Sequence, residues 1–573
     1  MDLFLGASLI IVLSIYVYTA YKSEGRVEGP EDFLIGFKQI STEDFSSSSV
    51  AYGVQVATFF PFVVWGASYT SSIAIANLIM WGIGIYLFRS SLPSIDDEGL
   101  LDEADTLHGF IGEEYKRESI RYVTSLLTIV GLMGIILTEL VWGASVLKEF
   151  LSAEEIYFVV FAATFYTFVY VSQKGHLSAI ATDRIQVFFT YIGIFSFSSL
   201  GLFVMYGGGF DPNVYDTLSI LYCIIFPAYI IWSYKGNLLD KSEQKIISFR
   251  SLGNLIVILL LIFTIVLAIL NVAKLNLRNI HSLITVDPFG HWALVAAVLT
   301  ALFWQFSDMT MWQRVLAVKT ESQEDEQNGS PAKTKPLEKG IKRFSIESPL
   351  TWMGAVVIGY LILRIEPAIS DSSEIFAAIP STLIENPSVL YKFIGYIFII
   401  SIVSIMLSTV DSVVCAVMFT WSYDARYIFG SGKEGEDATS NHLMSWTPEK
   451  SSQVFTAFAV LAIVSMYIFI DAGTGVTGES FISIMFTFYN MQLSFAVPVI
   501  GMLLLPPKYR PNGSTTLIII ISSALVGIVS GLYPFVFEGG LMYISVPLTI
   551  ATSLLLYGVS SGFKYARDKF SIL

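Results

Sequence analysis

Long apolar runs, separated by short polar stretches, recur along the whole chain. An α-helix needs about 20 mostly apolar residues to cross the hydrocarbon core of a bilayer, so each run predicts a membrane-spanning helix. About 15 windows meet this criterion: 2–21, 46–66, 69–90, 120–147, 155–172, 178–206, 215–234, 252–273, 291–317, 347–364, 391–422, 452–471, 480–505, 515–534 and 541–562. The pattern predicts an all-α polytopic membrane protein.

The basic residues orient these spans. The first run lacks a preceding basic segment and a small-residue cleavage site, and Lys22 and Arg26 follow it, which indicates a retained helix rather than a signal peptide. With the N-terminus outside, about 28 of the 33 Lys and Arg residues lie on the cytoplasmic side, and the opposite orientation would invert that ratio. We therefore expect an integral protein of the plasma or cell membrane, with its N-terminus outside and its C-terminus in the cytoplasm.

The composition excludes several classes of protein. Hydrophobic residues make up 54% of the 573 residues and charged residues only 14%, with a mean hydropathy of +0.66, so the lipid bilayer is an expected partner. The net charge of −14 comes mostly from the polar loops and argues against nucleic acid as a partner. The five histidines are scattered over loops and helix ends, so neither a catalytic set nor a metal cluster indicates an enzyme.

The segment from Ile400 to Tyr423 places four polar residues inside an otherwise apolar span, namely Ser408, Thr409, Asp411 and Ser412. On a helix, Ser408, Asp411 and Ser412 share one face, and Thr409 lies beside it. Hydroxyl, carboxylate and carbonyl oxygens are the ligands that a small hard cation prefers. The competing interpretation is that the hydroxyls bond to carbonyls of the preceding helical turn, and the sequence leaves both open.

Two predicted spans carry further polar or helix-breaking signals. Proline removes one backbone donor and frees a carbonyl, so Phe59-Phe60-Pro61 predicts a break where unwound backbone can bind an ion. The ninth span carries Gln305, Ser307, Asp308 and Gln313 through its middle and lower half. This polar density indicates either a cavity wall or a polar interface between helices.

Glu139 lies in the middle of the fourth predicted span, where no Lys or Arg is placed mid-membrane. A membrane-buried carboxylate needs a partner, and a cationic or amine-bearing solute, a proton, or hydrogen bonds to a neutral carboxyl group would each serve. The lack of a midplane cation disfavours an anion bound through a salt bridge. Helix N-termini can also bind anions, so the charge of the solute stays open.

Several segments together resemble the sodium:solute symporter family, whose members have the LeuT-type fold. Ser408 to Ser412, STVDS, resembles the S-T-x-D-S signature of the eighth core helix. Gly175 to Gln186, GHLSAIATDRIQ, is similar to the start of the fifth core helix, with matches at Gly175, Ala179, Thr182, Asp183 and Gln186. Glu31 to Gly36 resembles the lead-in to the first core helix, Ser307-Asp308 with Gln313-Arg314 resembles the end of the sixth, and Gln492 with Pro498 and Gly501 is similar to part of the tenth.

The resemblance implies that the whole chain, 1–573, is one transmembrane transporter domain. Its core would be two inverted five-helix repeats at 46–206 and 291–505, with solute and Na⁺ bound near the midplane between broken helices. The helix 2–21 would precede the core, two helices at 515–562 would follow it, and 215–273 would be a hairpin inserted between the repeats. The implied function is Na⁺-coupled import of a small polar organic solute by alternating access, without an organic cofactor.

The resemblance also implies an ion site. Its Na⁺ ligands would be the hydroxyls of Ser408 and Thr409 and the carbonyls of Val56, Phe59 and Ile405. Asp411 would bind the ion directly or through another ligand. Asp183 would lie on the exit path of the ion, whereas the residues alone equally allow an ion pair with Arg184 or a charge at the start of a helix.

The candidate solute-binding residues lie in four segments, and they are Gln55, Thr58, Glu139, Trp304, Gln305, Ser307, Asp308 and Gln492. Two rival functions remain beside Na⁺ symport. One is a proton-coupled transporter in which Glu139 or Asp411 titrates. The other is a transporter-derived sensor that binds a ligand without moving it.

Overall fold

The computed structural model describes residues 3–23, 25–67, 71–97, 105–148, 150–207, 214–239, 290–319, 335–365, 383, 388–425, 478–536 and 543–570. These residues are almost entirely helical. The helices, numbered in chain order, are α1 (Leu3–Lys22), α2 (Pro30–Leu34), α3 (Thr42–Gly53), α4 (Val56–Ala67), α5 (Ser71–Ser90), α6 (Leu92–Asp97), α7 (Leu107–Glu114), α8 (Glu118–Leu147), α9 (Ala153–Lys174), α10 (His176–Gly207), α11 (Val214–Leu239), α12 (Gly290–Phe303), α13 (Met309–Ala317), α14 (Lys335–Ile365), α15 (Val389–Thr420), α16 (Gly478–Leu504), α17 (Gly513–Val536) and α18 (Ser545–Phe570).

The predicted class, an all-α polytopic membrane protein, is confirmed. Among the described residues, ten helices are long and apolar enough to cross a membrane, and the bent pair α3–α4 makes an eleventh. Two shorter apolar helices, Ala74–Ser90 and Ser219–Ile231, also coincide with predicted spans. The predicted spans 252–273 and 452–471 lie outside the described residues, so the expected count of about fifteen fits only roughly.

Helix α14 is longer than the sequence predicts, because it begins at Lys335 instead of at 347. Its added turns are polar overall, but Leu337, Ile341 and Phe344 recur at helical spacing and are buried. A hydropathy window averages this stripe with the intervening charges. The extension is therefore amphipathic and packs against protein, which the span criterion does not detect.

The helix break in the span predicted at 46–66 lies earlier in the sequence than expected. α3 ends at Gly53, α4 begins at Val56, and the two segments are bent by 64°. The prediction of a break at Phe59-Phe60-Pro61 is wrong, because Pro61 lies inside α4. Pro61 lacks the N–H that would bond to the carbonyl four residues earlier, yet the helix continues through it.

A second break separates α12 from α13. A 3₁₀ turn, Trp304–Phe306, follows α12, and Asp308 then caps α13. The segment after α2 joins the far end of α13 through a parallel β-bridge between Ile40 and Val318. This bridge connects the chain before the first break to the chain after the second.

Helix α15 forms the centre of the described bundle. Every residue from Phe398 to Thr420 is buried, and α8 and α10 pack along it. By contrast, α17 and α18 present large apolar side chains outward, among them Leu525, Val529 and Leu555. Such exposed apolar faces match a surface that lies in lipid.

Candidate functional site

The break between α3 and α4 is bound on both sides by other helices. The carboxylate of Glu139 on α8 accepts hydrogen bonds from the backbone N–H groups of Val56 (2.7 Å) and Ala57 (3.0 Å). Trp352 on α14 donates its indole N–H to the carbonyl of Gly53 (2.8 Å). These contacts satisfy backbone groups that a broken helix leaves unpaired. They also explain why the break lies before Pro61.

Four oxygen atoms converge beside this break. The hydroxyl of Ser408 lies 3.1 Å from the carbonyl oxygen of Ala51 and 2.8 Å from that of Ile405. The hydroxyl of Thr409 lies 3.3 Å from the same Ile405 oxygen, and it also donates a hydrogen bond to Glu139. All of these residues are buried. Two hydroxyls and two carbonyls make a donor set suited to Na⁺.

The other backbone carbonyls of the predicted ion site lie in α4. Val56 is the first residue of α4, and Phe59 lies in its first turn, where its N–H bonds to the carbonyl of Gln55 (2.7 Å). The residue whose carbonyl contacts Ser408 is Ala51, in the last turn of α3. Sequence reasoning missed Ala51 because the register of the ligands depends on where the helix breaks.

Asp411 lies in a neighbouring cluster one turn along α15. Its Oδ2 accepts hydrogen bonds from Tyr170 (2.5 Å), Thr182 (3.4 Å) and Gln186 (3.4 Å), while Ser412 donates to Oδ1 (3.2 Å). Tyr170 is on α9, and Thr182 and Gln186 are on α10. The cluster therefore joins three helices around one carboxylate.

Asp183 and Arg314 belong to the same cluster and are fully buried. The guanidinium of Arg314 donates to the hydroxyls of Ser48 (2.7 Å) and Ser412 (2.6 Å), and it lies 3.5 Å from Asp183. Ser48 also donates to Asp183 (2.5 Å).

Arg184, which the sequence allowed as an ion-pair partner of Asp183, pairs with another residue. Arg184 forms its ion pair with Asp44, so the pairing of Asp183 with Arg184 is wrong. Adjacent residues on a helix point to different sides, so Asp183 faces the core while Arg184 faces outward.

Asp308 lies at the second break, and its hydrogen-bond donors in the described part of the chain come from residues near the two breaks. It accepts from the backbone N–H (3.0 Å) and hydroxyl (2.7 Å) of Thr310, from the indole of Trp304 (3.1 Å) and from the hydroxyl of Tyr52 (3.3 Å). Because Tyr52 is on α3, this carboxylate connects the two breaks.

Tyr489 connects the remaining candidate solute residues. Its hydroxyl donates to the side-chain oxygen of Gln55 (2.8 Å), and its ring lies 4.8 Å from that of Trp304 between centroids. Gln492 lies one turn further along α16, fully buried, and neither of its amide atoms has a hydrogen-bond partner in the described part of the chain.

The other candidates are less informative. Thr58 bonds to the carbonyl of Gln55, Ser307 bonds to that of Trp304, and Gln305 is buried in the 3₁₀ turn. The structure thus brings Gln55, Glu139, Trp304 and Asp308 to the two breaks. Tyr52 and Tyr489 were missed, because a tyrosine in an apolar segment carries no local signal of its partner.

Neither a protein-family model nor a curated protein sequence matches the chain. Among solved structures, one described as the substrate-bound outward-open state of a Na⁺-coupled sialic acid symporter is similar to it. The similarity covers 98% of this chain and 97% of that one, with a TM-score of 0.58 and 12% sequence identity. At that identity the likeness shows the fold. The chain therefore has the LeuT-type architecture that its sequence motifs imply, along nearly its whole length.

Proposed function

We propose that the protein is a secondary active transporter that uses a Na⁺ gradient to import a small polar organic solute by alternating access. The observation that carries this proposal is the oxygen cluster of Ser408, Thr409, Ile405 and Ala51 at a helix break. The fold shared with a Na⁺-coupled symporter supports it. In this proposal the repeats are 46–206 and 291–505, and the N-terminus lies outside.

The ligand set follows the contacts. Na⁺ is bound by the hydroxyls of Ser408 and Thr409 and by the carbonyls of Ile405 and Ala51, with Ala51 in place of the expected Val56 and Phe59. The Ala51 carbonyl, in the last turn of α3, accepts a long hydrogen bond from the Val54 N–H (3.3 Å), and its second lone pair, which faces Ser408, can bind an ion.

Asp183 and Asp411 support an exit path for the ion. Two buried carboxylates here face one guanidinium, that of Arg314, which leaves one negative charge in excess when both are ionised. Asp183 Oδ1 has no hydrogen-bond partner among the described residues. An ion that leaves Ser408 and Thr409 would meet this excess charge one helical turn along α15.

The same excess charge favours one rival, proton coupling, because a proton would neutralise the cluster as well as Na⁺ does. The two coupling ions make different demands on the protein. Na⁺ needs the four-oxygen site, whereas a proton needs only a carboxylate.

Alternating access requires contacts that close one side of the bundle and then break. A partly buried ion-pair cluster just after α15 fits this role. Arg121, at the start of α8, contacts Asp424 (2.6 Å), which is buried in the turn after α15, and the partly exposed Asp105 (3.0 Å), and Thr106 donates to Asp424 (2.9 Å). The cluster ties the segment before α7 to α8 and α15 on the predicted cytoplasmic side.

The test is reconstitution in liposomes with a radiolabelled solute panel. Uptake is measured with an inward Na⁺ gradient, with an inward proton gradient in K⁺, and with neither. Accumulation driven only by Na⁺ is expected. Accumulation driven by the proton gradient alone assigns proton coupling, and solute binding without accumulation under either gradient assigns a sensor.

A further inference from the structure

Both half-helices that begin at the breaks have an N-terminus occupied by a carboxylate of the chain itself. Glu139 accepts from the first two N–H groups of α4 at 2.7 and 3.0 Å. Asp308 accepts from the Thr310 N–H at the start of α13 at 3.0 Å. Glu139 reaches its position from α8, so it is a tertiary contact and not a local cap.

This arrangement bears on the charge of the solute. The N-terminus of a half-helix carries free N–H donors and partial positive charge, and it is where a transporter of this architecture would bind an anionic group of its solute. Here the donors already bind carboxylates. An organic anion placed at either break would face a buried like charge instead of free N–H groups, which is unfavourable.

Neither carboxylate forms an ion pair with a basic side chain in the described structure. Glu139 is bound by two backbone N–H groups and by Thr409, and Asp308 is bound by Thr310, Trp304 and Tyr52. Arg314, the buried arginine of α13, lies 5.0 Å from the centroid of the Tyr52 ring, and its charge acts on Asp308 from there, but its ion pair is with Asp183. The direct hydrogen-bond donors of both carboxylates are therefore neutral, and one guanidinium cannot offset Asp183, Asp308 and Glu139 together, which leaves negative charge available to a cationic ligand.

Aromatic side chains lie at the same place, and an unpartnered amide lies one helical turn away, against Gly131 of α8. Trp304 and Tyr489 pack with their ring centroids 4.8 Å apart, and Tyr489 lies within electrostatic range of both Glu139 and Asp308. Aromatic faces attract organic cations. Gln492, one turn from Tyr489 on the same helix face, is fully buried with both amide atoms free of partners. An unpaired buried amide leaves its polar atoms available to a water, an ion or a solute.

We propose that the transported solute is an organic cation, an amine or quaternary ammonium compound with a hydrogen-bonding group. It binds between Glu139 and Asp308, against Trp304 and Tyr489, and Gln492 contacts its polar end. This assignment rests on the proposed transport function, and it specifies the charge of the solute.

The first arm of the test uses the unmodified protein in nanodiscs. The melting temperature is measured with and without Na⁺, and then with a panel of small cations, neutral solutes and anions. The panel includes three compounds of matched shape: choline, 3,3-dimethylbutan-1-ol and 3,3-dimethylbutanoate. Stabilisation by cations that requires Na⁺ is expected, with the neutral and anionic counterparts inactive.

The outcomes separate the two proposals. Absence of any stabilisation by Na⁺ alone removes the ion site, and the transport proposal with it. Stabilisation by Na⁺ that only anions or neutral solutes increase overturns the cation assignment and leaves Na⁺ coupling intact. If Na⁺ raises the melting temperature but no organic cation raises it further, the cation assignment is overturned as well.

The second arm uses charge-neutral variants with the best cation found. Glu139→Gln and Asp308→Asn should each weaken the binding of this cation at least about 30-fold, because each substitution leaves the buried cation without one of its negatively charged partners. Glu118→Gln, at the exposed start of the same helix α8, is the matched control and should bind as the unmodified protein does. Glutamine at 139 offers one acceptor to two N–H donors, so the folded fraction is measured first. Wild-type affinity in both folded variants would refute the assignment.

Discussion

Replacing Ser408 by alanine removes one of the four oxygens at the proposed ion site with little change in volume. The Ser408 hydroxyl is buried, and its two contacts are the carbonyls of Ala51 (3.1 Å) and Ile405 (2.8 Å). Ala51 belongs to the broken helix and Ile405 to α15. The substitution therefore removes an ion ligand and a direct contact between these two elements.

The expected size of the effect follows from the ligand count. Three of four protein oxygens remain, and loss of a hydrogen-bonding partner to a charged group costs about 1–3 kcal/mol, or roughly 5-fold to 150-fold in affinity. Ser408→Ala should raise the Na⁺ concentration for half-maximal uptake by that factor. Thr409→Ala should have the larger effect of the two, because it also removes the hydrogen bond to Glu139. Thr409→Ser keeps the hydroxyl and should restore most of the Na⁺ affinity.

The assay is initial uptake in liposomes as a function of external Na⁺. Ser404→Ala is the matched control, because it deletes a buried hydroxyl one turn earlier on α15 that contacts Tyr16 and the Ile400 carbonyl. It should leave the Na⁺ dependence unchanged. If folded Ser408→Ala and Thr409→Ala proteins both keep the wild-type Na⁺ dependence, the site is elsewhere.

Three further predictions concern other parts of the molecule. Arg314→Met leaves Asp183 buried beside Asp411 without its cation, so it should lower stability by about 3–5 kcal/mol, measured by thermal melting in detergent. Adding Asp183→Asn should recover part of that loss, and an unchanged melting temperature in Arg314→Met would contradict the role of the ion pair. Burial, and then the charge of Arg121, lower the pKa of His108 in α7 from 6.5 to about 3. The unfolded chain then binds a proton between these pH values that the folded chain does not, so stability is lost as the pH falls, by about 2 kcal/mol at pH 5. His108→Gln should flatten the dependence of melting temperature on pH, and an unchanged slope would refute the role of this histidine. A Cys at Gln244, in the predicted cytoplasmic connection of the hairpin 215–273, should resist impermeant thiol reagents in intact cells, whereas ready labelling would overturn that topology.

Hydropathy predicts the membrane spans well because crossing a bilayer is a local property of about 20 consecutive residues. The position of the first break is not local. It depends on Glu139 from α8 and on Trp352 from α14, which bind the exposed backbone groups. Gly53 and Pro61 are the local helix-breaking signals in that segment; the helix ends at Gly53, whereas Pro61 lies inside α4. Long-range capping therefore decided between two local signals.

The candidate site likewise combines features that are local in sequence with features that depend on tertiary structure. Ser408 and Thr409 could be singled out from the sequence, because Asp411 and Ser412 lie beside them in an otherwise apolar segment. The carbonyl of Ala51 was not predictable, because every residue has a carbonyl and only the break selects one. The partners of Asp183 also come from tertiary structure, since Arg314 is more than a hundred residues away in sequence. Sequence thus identifies polar groups that need a partner, and the fold decides which partner they find.

Glu139 gives the proposed coupling a physical basis. A hydroxyl can bind an ion through its lone pairs while its proton is donated elsewhere, so Thr409 can bind Na⁺ and Glu139 together. Na⁺ polarises that hydroxyl and strengthens its bond to the carboxylate, which in turn holds the first turn of α4. A cation bound against Glu139 would then depend on Na⁺ for the position of its partner, and Na⁺ would depend equally on the cation. Such reciprocity is required of any coupled pair of sites. One side chain, in contact with both the ion ligand and the broken helix, is therefore sufficient to make the binding of the two ligands interdependent.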